Sequence, residues 1–307
     1  MEQRVQEGSV EPATHNALAK IYIDSNNNPE RFLRENKCYN SEVVGVYCEK
    51  RNPQLAFVCY ERAGADDKLI NVCNENSLFK QLARYLVKRR DPQLWATVLN
   101  PENSHRRAVI DQVVQTALVE TQSPEDVAAA VRAFMSADLP TELIELLEKI
   151  MLEETPFSSN RDLQNLLIFT AIKTDKARVM EYVNRLENYD ANGVAHVAID
   201  NGLFEEAFAI FKKGNQNAEA IKVLLEYIKN IDRAYEFAER SNDPVVWSLL
   251  AAAQLRADLV KEAIDSYIKA NDPSTYPAVV ASVHRVGNYE DLVRFLQMAR
   301  KKVPQKR

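Results

Sequence analysis

Leu203-Phe204-Glu205-Glu206-Ala207-Phe208-Ala209-Ile210-Phe211-Lys212-Lys213 opens a stretch, running to Lys302, that repeats itself. Phe204-Glu205-Glu206-Ala207-Phe208 is answered by Ile231-Asp232-Arg233-Ala234-Tyr235. Val260-Lys261-Glu262-Ala263-Ile264 and Tyr289-Glu290-Asp291-Leu292-Val293 follow. The pivots Ala207, Ala234, Ala263 and Leu292 are separated by 27, 29 and 29 positions. Asn242-Asp243-Pro244 recurs as Asn271-Asp272-Pro273 on the same beat. A short, nearly fixed period marks a repeat array.

Each copy reads as a helix with one apolar stripe. Leu203, Phe204, Ala207, Phe208, Ile210 and Phe211 share a face at a period of about 3.6, while Glu205, Glu206, Lys212 and Lys213 lie elsewhere. Helices below roughly 12–15 residues are marginal alone in water. Each must bury its stripe on a neighbour, and repetition of that need stacks helix pairs into a solenoid.

Composition agrees with an all-helical chain. Of 307 residues only seven are glycine, and no strand-like alternation is sustained. Hydrophobic residues make up 46% and charged residues 27%, with a net charge of −5. That balance argues against a nucleic-acid surface, which needs a concentrated basic face. No apolar run approaches the ~18 residues of a bilayer span. Met1 to Val10 is polar, without the apolar core of a signal segment. These features predict a cytosolic protein that does not insert into a membrane. Cys38, Cys48, Cys59 and Cys73 lack the close pairing of a zinc site and read as buried, reduced thiols.

Helix starts are well marked. A capping side chain precedes proline at Asn28-Pro29, Asn52-Pro53, Asp91-Pro92, Ser123-Pro124, Asp243-Pro244 and Asp272-Pro273. Ser123-Pro124-Glu125-Asp126 is the fullest case, because two acids also face the helix start. Pro277 belongs in the first turn of a helix that begins later than Pro273. Gly202, Gly214 and Gly287 sit where a left-handed residue closes a last turn. The pattern predicts twenty short helices between residues 13 and 302, including single helices over 105–120, 176–187 and 217–229. Soft spots are expected at 100–104 and 153–160, and a frayed tail from Val303.

The wording of several segments resembles the clathrin heavy-chain family, in the middle of its leg. They include His15-Asn16-Ala17-Leu18-Ala19-Lys20-Ile21-Tyr22-Ile23-Asp24-Ser25-Asn26-Asn27-Asn28-Pro29-Glu30 and Ile110-Asp111-Gln112-Val113-Val114-Gln115-Thr116-Ala117-Leu118. Leu143-Ile144-Glu145-Leu146-Leu147-Glu148-Lys149, Leu163 to Ile168, Leu203 to Lys213, Asp232 to Arg240 and Leu296 to Lys302 belong to the same resemblance. It covers about Glu11 to Lys302. It departs at Lys37 to Glu42, at Val46, at His284-Arg285-Val286 and at Val303-Pro304-Gln305.

The resemblance implies a right-handed α-solenoid of short antiparallel helix pairs, from the distal leg to the knee. It implies repeats of about 145 residues, longer than the units of most solenoids. A partial repeat is expected over 1–108, a full one over 109–258, and the start of a third with a frayed tail over 259–307. The implied partners are other heavy-chain legs of a coat lattice. Light chain and adaptors are expected to bind parts of the family's chain outside this stretch.

Candidate chemistry is sparse. Glu142, Glu145 and Glu148 recur every three residues and read as the solvated back of a helix, as do Glu205 and Glu206. His15, His105, His196 and His284 are dispersed, without ligand spacing. Should they face acids on neighbouring copies, assembly would strengthen below about pH 6.5. No nucleophile elbow and no glycine-rich phosphate loop occurs. No catalytic, cofactor-binding or metal-binding residue is therefore assigned, and no cofactor or enzymatic activity is expected.

Lys88-Arg89-Arg90 and Arg300-Lys301-Lys302 are basic helix ends that suit the C-terminal dipole. An acidic face of a neighbouring leg is their alternative partner. Trp95 and Trp247 each follow an Asp-Pro start and read as core anchors. The expected function is structural: a leg segment of a vesicle coat. The rival reading is a peptide-binding or tethering α-solenoid of the vacuolar-sorting type. The spacing of 27–29 rather than ~34 tells against tetratricopeptide units.

Overall fold

The structure is a computed structural model that describes residues 10–302 apart from 119, 122, 154 and 288, and no side chain at 117 or 302. The described residues form 20 α-helices and no strand. The chain divides into two compact units between Ser158 and Ser159, inside one of the two soft stretches read from sequence.

The first unit holds α1 (Pro12–Asp24), α2 (Pro29–Glu35), α3 (Ser41–Glu49), α4 (Pro53–Ala63), α5 (Asp66–Glu75), α6 (Phe79–Arg89), α7 (Pro92–Val98), α8 (Arg106–Gln112), α9 (Pro124–Ser136) and α10 (Pro140–Leu152). The second holds α11 (Arg161–Thr174), α12 (Val179–Arg185), α13 (Ala191–Asp200), α14 (Phe204–Lys213), α15 (Asn217–Lys222), α16 (Ile231–Ser241), α17 (Pro244–Arg256), α18 (Val260–Ala270), α19 (Tyr276–Val286) and α20 (Tyr289–Lys302). Many successive helices, α3–α4, α13–α14 and α17–α18 above all, are joined by a few residues and pack side by side as antiparallel pairs. The α3–α4 pair is among the closest. A β-carbon at Gly45 would stand 2.5 Å from Cε1 of Tyr60, so only glycine admits that approach.

The apolar stripes meet as the repeat period requires. Ala207, Ala234 and Ala263 are fully buried, and Leu292 is half-buried against the last core cluster. Small residues at these pivots let helix axes approach, while Ile210, Phe211, Ile264 and Phe295 fill the space beside them. The aromatic pairs of this stretch pack with one another. Phe208 meets Phe237 edge-on at 5.4 Å, and Tyr267 meets Phe295 at 6.0 Å.

The helix ends explain how so few glycines suffice. Asn26, Asn28, Asp138, Asn215, Asn242, Asp258 and Asn271 all take a left-handed conformation. Asn and Asp tolerate it better than other side chains because they hydrogen-bond locally. Gly202 and Gly287 have positive φ as expected, but Gly214 has φ −78° and passes the left-handed role to Asn215.

Asn52, Asp91 and Asp243 cap their helices with a side-chain oxygen. Asn28 does not, because at φ 46° its side chain is carried away from the first turn. Nor does Ser123, whose hydroxyl donates to Glu125 instead. Pro277 lies in the first turn of α19, as read.

Two expected helices change pitch. Residues 105–120 and 217–229 each end in a π-helical turn, at Val113–Ala117 and Val223–Tyr227. The bonds Leu118 N–H to Val113 O and Ile228 N–H to Val223 O span five residues. The widened turns place Val113, Val114, Val223 and Leu224 in the core. That is a tertiary demand which local propensity does not encode. Residues 176–187 begin as a 3₁₀ turn over Lys176–Arg178 before α12. The tail from Val303 lies outside the described residues.

A longer recurrence is written in the corners. Tyr39 donates to Leu33 O at 2.8 Å, and Tyr189, 150 positions on (39 to 189), reaches Val183 O at 3.5 Å; both contacts run six residues back. Arg62, at the end of α4, donates to the carbonyls of Leu33 and Asn36 past α2. Lys213, ending α14, does the same for Val183, Asn184 and Leu186 past α12. Asn40 N–H bonds Asn16 Oδ1, and Asp190 N–H bonds Asn165 Oδ1, each at 2.7 Å. The same corner is thus built once in each unit.

Candidate interaction surface

The charged faces of the helices carry a ladder of ion pairs that follows the short repeat. Glu205 receives both arms of Arg233, at 2.6 and 2.8 Å, from 28 residues away. Lys68 reaches Glu42 across 26 residues, and Arg285 reaches Asp258 across 27. Arg161–Asp190 at 3.3 Å, Lys269–Glu239 at 3.6 Å and Arg294–Asp265 at 3.0 Å continue the rule. A residue on one helix meets the helix of the next pair about one period later, so opposite charges at that spacing tie neighbours together. Each exposed pair contributes about 0.2–1 kcal/mol, and the ladder fixes register more than it adds stability.

This ladder absorbs most charges singled out in the sequence. Arg107 of α8 stands 3.2 Å from Glu142 and 3.5 Å from Glu145, so this acidic row ties α8 to α10 and is not merely a solvated back. Adjacent Glu206 is half-buried. Lys88, Arg89 and Arg90 face Glu61, Asp66 and Asp126 at 3.9, 3.0 and 2.6 Å. These carboxylates belong to flanking helices of the same chain. The dipole and a neighbouring leg are thus not the sole partners of that basic end. Arg300 and Lys301 are exposed at the end of α20.

The remaining candidates fall into the framework. Trp95 and Trp247 are 1% and 2% exposed, confirming them as core anchors. Cys48, Cys59 and Cys73 are buried and Cys38 is half-buried, all as free thiols. The contact with Cys59, and then burial, push the Cys48 thiol far above its ordinary value; burial pushes Cys73 up to about 12.

The histidines face no common partner. His15 is buried, with Nδ1 2.8 Å from Asn36 Nδ2, which removes it from any surface-sensing set. His196 Nδ1 lies 2.8 Å from Asn192 O, His284 Nδ1 lies 3.1 Å from the Tyr289 hydroxyl, and His105 rests on Phe79. Among the described residues no group of three or more metal-capable side chains converges.

The titration shifts of three glutamates and two tyrosines point away from acid–base chemistry at those groups. Hydrogen bonds from Arg84, Ser123 and Arg233 hold Glu120, Glu125 and Glu205 below the usual carboxylate range. Burial, then bonds to Glu49 and Asp66, push Tyr60 and Tyr85 above the ordinary phenol value. A general acid or base works best with a value near the operating pH, and these shifts run the other way. They describe fixed charges and neutral donors within a framework.

An acid prediction follows for Glu205. Its folded value is lowered, so its contribution is complete above the unfolded value of about 4.3 and is lost as pH falls through the folded value. Glu205→Gln is expected to lose about 0.5–1 kcal/mol at pH 7. The gap should narrow as pH falls below about 4.3 in paired thermal melts. A gap that stays constant from pH 7 to pH 3 would remove the ion pair as its cause.

A family model described as Region in Clathrin and VPS matches residues 1–109 and 118–261. The chain belongs to this clathrin-repeat family. Among curated clathrin-repeat proteins, it is 66% identical over 302 residues to a clathrin heavy chain of Drosophila melanogaster. It is 65% identical to "Clathrin heavy chain 2" of Homo sapiens, also over 302 residues, and 58% identical over 303 residues to "Clathrin heavy chain" of Dictyostelium discoideum. These alignments cover 98–99% of this chain but 18% of each relative. The clathrin-repeat assignment accounts for the short helix pairs and the all-α class. No helix among the described residues is long and apolar enough to cross a membrane.

Proposed function

We propose that this chain is a structural segment of a clathrin coat, serving in vesicle-mediated transport and endocytosis by packing against other heavy-chain legs in a polyhedral lattice. The observation that carries the reading is identity of 54–66% to proteins named as clathrin heavy chains along nearly the whole chain. A stack of helix pairs held by nearest-neighbour contacts suits a strut, since it can lengthen without a central core. Many weak polar contacts between struts add to strong but reversible assembly. The role is mechanical rather than catalytic, and its place is the cytoplasmic face of coated pits and vesicles. Light chain and adaptors would be engaged by other parts of the heavy chain.

The recurring corners and the two matched stretches support a partial repeat over 1–108, a full repeat over 109–258 and the opening of a third over 259–307. The family description also names VPS proteins, which keeps the tethering reading as the rival. The test is exchange. Placed into the Drosophila melanogaster heavy chain in place of the aligned stretch, this segment is expected to give trimers that assemble closed cages by electron microscopy. Folded trimers that never close cages would overturn the coat reading.

A further inference from the structure

The first unit leaves one apolar cleft open beside a buried tryptophan. It lies between α7 and α9, has a volume of about 430 Å³, and is lined by Trp95, Leu99, Ala129, Ala133 and Ala137, with Arg132 at its rim. Its size falls in the range of about 300–1,000 Å³ that holds ligands. Ala129, Ala133 and Ala137 recur every four residues and form one small-residue row, so α9 offers a wall without filling the space. The row spans eight residues of rise, about 12 Å. That is room for one anchoring side chain rather than for an extended partner.

The cleft has a structural cause. α7 begins with Asp91-Pro92-Gln93-Leu94-Trp95 and stops after 7 residues. α17 begins with the matching Asp243-Pro244-Val245-Val246-Trp247 and runs for 13. Trp247 is covered by Tyr235, edge-on at 5.5 Å, and by Lys269, whose Nζ lies 4.2 Å from the ring centre. Trp95 has Phe134 edge-on at 6.3 Å. The floor of its cleft is apolar, while Arg90, Asn100, Arg132 and Ser136 stand among its lining.

A charge at the rim points to an occupant. Arg132 is exposed, and among the described residues no carboxylate pairs with it, whereas nearby Arg90 is held by Asp126 and Ser123. In a chain of net charge −5, a free guanidinium beside an apolar cleft selects a carboxylate.

We propose that this cleft is a docking site for a peptide segment of a partner protein that carries one aromatic side chain beside a carboxylate. The ring enters against Ala129 and Ala133, where aromatic anchors in small pockets concentrate binding energy. The adjacent carboxylate meets Arg132. The proposal does not depend on the coat reading.

The test uses the whole chain and a short dye-labelled peptide with one phenylalanine between two aspartates, followed by fluorescence anisotropy. Saturable one-to-one binding is expected. It should weaken about tenfold when the peptide's phenylalanine becomes alanine, and about tenfold for Ala133→Trp, which fills the cleft. Arg132→Glu, on the surface and harmless to folding, should weaken it about threefold to tenfold, whereas Lys261→Glu, equally exposed, should not. Circular dichroism checks that each variant folds, and Arg132→Glu decides if Ala133→Trp does not. No saturation below millimolar peptide overturns the proposal, as does equal affinity of Arg132→Glu and the unaltered chain. Displacement by N-acetylphenylalaninamide at the same concentration as the peptide also overturns it, because the cleft would then be a small-molecule site.

Discussion

Trp247→Ala is expected to lower stability by about 3–5 kcal/mol, the usual cost of removing a buried tryptophan, and the damage should stay local. Trp247 is 2% exposed, with Tyr235 on its edge and Lys269 on its face. Truncation removes the surface on which α16, α17 and α18 converge. In a stack where each helix pair contacts only its neighbours, that loss has no common core through which to spread. Hydrogen exchange should therefore rise in α16 to α18 while α1 to α4 keep their protection. Trp247→Phe is the informative partner. The indole N–H has no acceptor, so phenylalanine keeps much of the apolar contact and removes an unsatisfied donor. It should cost far less than alanine. Equal loss of protection across all described helices in Trp247→Ala would show a single cooperative body and defeat the nearest-neighbour picture.

That locality is why the helices were so legible from sequence. A helix that begins at Asp91-Pro92 or Asp243-Pro244, or that ends at a left-handed Asn242 or Asn271, carries a boundary of its own. Its stripe, such as Ala207, Ile210 and Phe211, names its buried face without reference to distant residues. The exceptions are non-local. The π turns at Val113–Ala117 and Val223–Tyr227 answer to core packing. At Ser123, Arg90 from 33 residues away donates to the hydroxyl, which turns to Glu125 and not to the helix start.

The surface was harder to read for the same reason. Glu142 and Glu145 look like solvated charges until Arg107, 35 and 38 residues away, is placed beside them. The period of 27–29 was the signal that could have found partners such as Glu205 and Arg233. The charges keep that period as the apolar positions do, with Glu205 and Arg233 28 residues apart. The open cleft at Trp95 was not legible at all, since it depends on α7 stopping early and on three alanines of another helix.

Lys213→Met should be the most damaging single change to a charged residue, at about 2–3 kcal/mol. Its ammonium donates to Val183 O at 2.9 Å, Asn184 O at 3.1 Å and Leu186 O at 2.6 Å. Those carbonyls close α12, where no further helical N–H can reach them and where the helix dipole favours a cation. Methionine keeps the length and apolar stem but removes the ammonium from Asn184 O and Leu186 O, and leaves Val183 O with only the Tyr189 hydroxyl at 3.5 Å. Lys213→Arg should recover most of the loss, since Arg62 already fills the matching role past α2. An exposed lysine without such bonds would cost within about 0.5 kcal/mol, so urea midpoints separate the two cases. If Lys213→Met fell within that small range, the corner would owe its geometry to Tyr189 and Asn165 alone. The recurrence of a basic residue there, in Arg62 and Lys213, would then have no energetic basis. If the loss is as expected, α12 and α14 are joined by a charge that belongs to one helix and satisfies the other. A helix pair so joined cannot be lengthened or shortened by a turn without losing its cap. This would explain why the corner keeps the same geometry in both units while the cleft and the ion pairs around it differ.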